Sequence, residues 1–164
     1  MEMNVVRRLI NQFKQPLYKD DLKRVLVYCF FNAVLFGALA GALQFFANIT
    51  LGLGFSLLIY FIAYMIGREL RDRVFTYHIL YSVLGVVFFI IGYLFYNISY
   101  MTFVIRDVFI SLKLIFSPTG FIGFVFPFLD IRTYSGTNIL NNILDIFIFI
   151  FSIMTIWRMS CYRK

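Results

Sequence analysis

Charge is the first thing this chain lacks. Of its 164 residues only 14% are Asp, Glu, Lys or Arg, while 62% are hydrophobic and the mean hydropathy is +0.85. A water-soluble domain of this size carries about 25% charged and about 45–50% apolar residues. So much apolar surface cannot be enclosed in one small water-soluble core, and lipid must solvate the rest. Proline is scarce at 3 residues, whereas Phe contributes 22 and Tyr 11. That balance suits long apolar helices better than a loop-rich fold. Ten-residue segments of regular alternation are missing too, which argues against an outer-membrane barrel.

Histidine and cysteine are almost absent. His78, the single histidine, has no carboxylate or cysteine at ligand spacing, so no zinc site is expected. Cys29 lies in the first apolar run and Cys161 in the basic tail. Both are expected towards the reducing side, where a structural disulfide does not persist. No paired carboxylates, no Ser or Cys nucleophile beside a base and no Gly-rich phosphate loop occur, so neither an enzyme nor a cofactor is expected. The net charge of +7 does not imply nucleic acid. Its basic residues flank apolar stretches, as orientation signals do, and form no basic face interleaved with aromatics.

What remains is a set of apolar runs, which define an all-α, polytopic membrane protein. From Val25 to Gly67 there are 43 residues without a charge, too many for one span of about 20. The run reads as a helical hairpin turning near Asn48-Ile49-Thr50, with Asp20 and Asp21 at the favourable positive end of its first helix. The cluster Arg68-Glu69-Leu70-Arg71-Asp72-Arg73 closes the second helix and allows a Glu69–Arg73 pair one turn apart. A third run, Val74 to Ile105, holds another span, and a fourth extends from Ile139 to Trp157. The expected spans are therefore 25–47, 51–67, 77–99 and 139–157, in one integral membrane domain.

Two segments lie outside these spans. Residues 1–24 are expected to be a cytoplasmic segment holding a short amphipathic helix over 4–17, lying on the membrane surface or docking a partner. Val104 to Phe116 reads as amphipathic around Arg106, Asp107 and Lys113. Leu114 to Leu129 is apolar but short, and Pro118, Gly120, Gly123 and Pro127 break it. It is expected as an interfacial loop in a long extracytoplasmic connection, with a re-entrant segment or a fifth span as alternatives. Twelve Lys/Arg fall on one side of the four-span model and three on the other. The positive-inside rule then places both termini in the cytoplasm of a cell-membrane protein.

Ala33, Gly37 and Gly41 form a small-residue stripe that lets another helix backbone come close. Packing within the chain is the expected use, with Gly85 and Gly92 of the third span as its counterpart; joining two protomers is the alternative. The fourth span carries a polar stripe at Asn138, Asn141, Asn142, Asp145 and Ser152. A carboxylate in a span marks an ion or proton site unless it caps the helix near the interface, and the interfacial use is expected here.

The stretch Ile62-Ala-Tyr-Met-Ile66-Gly67-Arg-Glu-Leu-Arg71, after a Gly/Ala-rich first helix, resembles a recurring pattern in small uncharacterised bacterial four-helix integral membrane proteins. Such chains tend to end in a helix that opens on an Asp and closes at an Arg, as Asp145 to Arg158 does here. The likeness covers roughly residues 37–95 and 140–158, and this chain lacks the zinc-binding segment some of them carry. The resemblance implies the architecture and no activity. Function is therefore expected to be association, as an accessory subunit or homo-oligomer whose partners are the bilayer and another membrane protein. A small channel, transporter or membrane-perturbing effector is the alternative, and a membrane immunity or defence component is a third.

Overall fold

The computed structural model describes residues 17–51, 57–74, 78–117, 120 and 138–161. Those residues form five helices and, among them, no strand. We name them α1 (Lys19–Leu51), α2 (Leu57–Arg73), α3 (Ile79–Ile105), α4 (Val108–Ile115) and α5 (Asn138–Cys161). The expected amphipathic helix over 4–17, save Leu17, and most of the 114–129 segment lie outside the described residues.

Among the described residues, three stretches are long and apolar enough to cross a membrane: Lys19–Thr50, Ile79–Ile105 and Ile143–Ser160. At about 1.5 Å per residue, the 33 residues of α1 extend about 50 Å, well beyond a hydrocarbon core of about 30 Å. Its first turns therefore reach past the apolar layer, carrying Asp20 and Asp21. α2 is different. It has 17 residues, begins at Leu57 and continues through the charged cluster to Arg73. Its uncharged part, Leu57 to Gly67, covers only about 16 Å.

Contact register gives the direction of each helix. Gly37 meets Gly92 and Gly41 meets Ser99, so α1 and α3 run parallel. Tyr60 stacks on Phe151 and Gly67 faces Met159, so α2 and α5 run parallel. The two pairs oppose each other, since Phe36 meets Phe61, Tyr28 meets Arg73, and Ser82 meets Ser160. One end of the bundle thus gathers the starts of α1 and α3 with the ends of α2 and α5.

The core lies where α1, α2 and α3 meet. Val25, Cys29, Ala33 and Ala40 face Ile59, Ile62, Ala63, Ile66 and Leu70 of α2, and Tyr81, Phe88, Phe89 and Tyr93 of α3. Each set recurs at three- to four-residue steps, the spacing that keeps side chains on one helix face. The opposite face of α1 exposes Phe31, Leu35, Leu39, Leu43 and Phe46. In lipid, such a surface needs no cover, and close packing holds helices together.

α3 ends at a sharp break. Arg106 adopts the left-handed conformation (φ 60°), and its N–H returns to the Thr102 carbonyl at 2.8 Å. Asp107 then caps α4, its carboxylate accepting from the Phe109 and Ile110 N–H groups at 2.8 and 3.0 Å. The short α4 packs back on α3 through buried Ser111 and Ile115, leaving Phe109 84% exposed. The continuous amphipathic segment expected over 104–116 is thus two helices joined at a corner.

Candidate functional site

The small-residue stripe lies against α3. A Cβ on Gly37 would strike the Gly92 carbonyl, and one on Gly41 would strike the Tyr96 carbonyl and come within 2.9 Å of Ser99 Cβ. Gly92 in turn lies against the Ala33 backbone, whose carbonyl would be 3.2 Å from an added Cβ. Ser99 Oγ donates to the Ala38 carbonyl at 2.8 Å, and Asn48 donates to the Tyr100 hydroxyl at 3.1 Å further along. Ala33 is fully buried. Gly85 does not join this seam. Its neighbours are Leu70 of α2 and Ile156 of α5, since two turns before Gly92 those helices, and not α1, lie closest to α3.

Of the polar stripe of α5, Asp145 and Ser152 have described side chains. Asp145 is half-buried, and on α3 Tyr93 and Tyr96 stack with ring centres 5.9 Å apart. Two turns on, Ser152 is fully buried, and its hydroxyl has no hydrogen-bond partner among the described residues. Ser160 closes the line by sharing a 2.7 Å hydrogen bond with Ser82. Phe149 sits between Asp145 and Ser152, 5.3 Å from Phe89 and 5.5 Å from Tyr93. The side chains of Asn141 and Asn142 lie outside the described residues. Tyr93, Tyr96, Ser82 and Ser160 carry no sequence signal of their own, since what brings them to the stripe is the antiparallel register of α3 and α5.

The other polar cluster is at the end of the bundle where α1 and α3 begin. Arg73 Nε donates to Glu69 at 2.9 Å, one turn earlier. That hydrogen bond holds the Arg73 guanidinium above its ordinary pKa. The guanidinium also lies 4.0 Å from the centre of the Tyr28 ring, joining α2 to α1. Asp72 is flanked by Arg68 at 3.8 Å and Arg71 at 3.7 Å. His78 caps α3, its Nδ1 accepting from the Leu80 N–H at 3.1 Å. Asp21, expected to cap the start of α1, is buried in its first turn.

Between α2 and α5 an apolar groove of about 400 Å³ is lined by Leu57, Tyr60, Phe147, Ile148 and Phe151. Among the described residues, no three His, Cys, Asp or Glu side chains gather where they could hold a metal ion. No protein-family model, curated protein or solved structure matches this chain. Its chemistry must therefore be argued from its own geometry.

Proposed function

We propose that this chain is a four-span membrane protein, with both termini cytoplasmic, that works by association and not by catalysis. The observation that carries this reading is the state of α5. Of the three long apolar helices it is the least buried, and Phe147, Ile150, Phe151, Met154 and Trp157 stand exposed along it. The groove beside it opens on the same apolar surface. Lipid covers the outer face of α1 equally well, so the groove distinguishes α5: a helix of a second copy or of another membrane protein would fill it. The α1 stripe supports no such role, because Gly37 and Gly41 already lie against α3. The four-span count draws on the uncharged residues 51–67, and the cytoplasmic placement draws on the distribution of Lys and Arg.

The test is purification in mild detergent followed by cross-linking and mass measurement. Association predicts a multimer or a co-purifying membrane protein, lost on Phe151→Ala with Met154→Ala while the chain still inserts. A monodisperse monomer without partners contradicts it. One observation favours the conduit as a second reading, namely the line of half-buried Asp145, buried Ser152 and half-buried Ser160, whose last member bonds Ser82 of α3. In liposomes, pH-dependent flux abolished by Asp145→Asn would decide for the conduit; absent flux would decide against it.

A further inference from the structure

The two ends of the bundle differ in charge. At the end where α1 begins, Lys19, Lys23, Arg24, Arg68, Arg71, Arg73 and Arg158 give seven cations against four acids, Asp20, Asp21, Glu69 and Asp72, a balance of +3. At the opposite end Arg106 and Lys113 are balanced by Asp107 and Asp145, a sum of zero among the described residues. Three of the four acids at the basic end are occupied: Glu69 by Arg73, Asp72 by Arg68 and Arg71, and Asp21 by burial. Lys23 and Arg24 are exposed and have no carboxylate partner among the described residues.

The surface beneath these cations has the shape of a lipid. Arg24, Tyr28, Phe31 and Leu35 are all exposed and follow one another at i, i+4, i+7 and i+11, one continuous stripe of α1. The stripe runs from a cation to a purely apolar surface over about 16 Å, comparable with the reach of an acyl chain into one leaflet. Arg73 covers the Tyr28 ring at 4.0 Å and fixes it at the boundary, the level where Tyr and Trp settle at a membrane interface. Trp157, beside Arg158, marks the same level on α5.

We propose that this stripe is a binding site for an anionic phospholipid, its phosphate at Lys23 and Arg24 and an acyl chain along Tyr28, Phe31 and Leu35. Charge complementarity selects the occupant: a zwitterionic headgroup satisfies the apolar part equally well, but its own cation offsets its phosphate and it brings no net negative charge to Lys23 and Arg24. The inference rests on the membrane reading above, so its test must separate the two.

Full-length protein is first extracted from membranes with alkaline carbonate. Release into the soluble fraction overturns the membrane reading and the lipid site with it. Retained protein is then examined by native mass spectrometry with equimolar phosphatidylglycerol and phosphatidylcholine of identical chains. The site predicts preferential retention of phosphatidylglycerol. Each Lys or Arg near an anionic surface contributes about 1 kcal/mol, equivalent to about fivefold in affinity. Lys23→Gln with Arg24→Gln should therefore weaken phosphatidylglycerol about twentyfold and leave phosphatidylcholine unchanged, which also shows that the fold survives. Arg106→Gln with Lys113→Gln, at the other end, should have no effect. Equal retention of both lipids, an unchanged preference in the Lys23/Arg24 variant, or a second copy of the chain protecting this face instead of lipid would each overturn the proposal while sparing the membrane reading.

Discussion

α3 is packed on both sides, yet its two main interfaces are built on different principles. Against α1 it lies backbone to backbone: Gly37 opposes the Gly92 carbonyl and Gly41 the Tyr96 carbonyl, with the Cβ atoms of Phe95 and Ser99 beside them. Against α5 contact runs through side chains, with Gly85 under Ile156 (and under Leu70 of α2), and Phe89 tilted on Phe149. Backbone cannot retreat from an added methyl group, whereas a Leu or Met terminus can rotate away. The first interface should be strong and intolerant, the second weaker and adaptable. This contrast also fits the exposure of α5, which joins the bundle late in the chain and stays at its edge.

Substitutions that add one carbon measure the difference. Gly37→Ala drives a Cβ into the Gly92 carbonyl and should cost about 3 kcal/mol in detergent unfolding, the upper part of the overpacking range. Gly85→Ala meets Leu70 Cδ1 and, at 2.7 Å, Ile156 Cγ2, which are buried side-chain atoms and not backbone, so a smaller loss of about 1–2 kcal/mol is expected. Equal losses at the two positions would erase the contrast.

Hydrogen bonds give a finer comparison, because both interfaces carry a serine bond between helices. Ser99→Ala removes the bond to Ala38, and Ser82→Ala removes the bond to Ser160. Each should cost about 0.6 kcal/mol, the average for such bonds between membrane helices. A loss at Ser99 that rivals Gly37→Ala would mean that the first interface is held by polar contact and not by close approach. Gly67→Ala is the smallest of the series. Its nearest neighbour is Met159 Sδ at 3.0 Å, on a flexible chain, and less than about 0.5 kcal/mol should be lost in the same unfolding assay.

Some of this was readable before any coordinates. Ala33, Gly37 and Gly41 repeat at the helical period, and small residues at that spacing imply a close neighbour. Gly92 was readable as its counterpart for the same reason. Gly85 was not, since a seven-residue step keeps it near the Gly92 face but cannot say which of three surrounding helices meets it. The start of α2 at Leu57 was also hidden, because the 43 uncharged residues from Val25 to Gly67 contain no charge to mark a boundary. The corner between α3 and α4 turns on a left-handed Arg106, a residue type that gives no warning of that conformation. Asp107 ahead of Val108 and Phe109 was a cap signal available in the sequence. Asp145 stood out as a carboxylate in a span, but the Ser82–Ser160 bond that closes α5 on α3 joins residues 78 apart, and no local pattern connects them.

The central claim is that the glycine stripe of α1 is an internal seam. Its most direct test is the unfolding of Gly37→Ala and the parent chain in mixed micelles over a hundredfold range of protein-to-detergent ratio. An internal seam predicts a stability loss that is the same at every ratio, with any multimer of the parent retained by the variant at conditions where both stay folded. A loss that grows on dilution, or a parent multimer that Gly37→Ala dissociates into stable monomers, would contradict it.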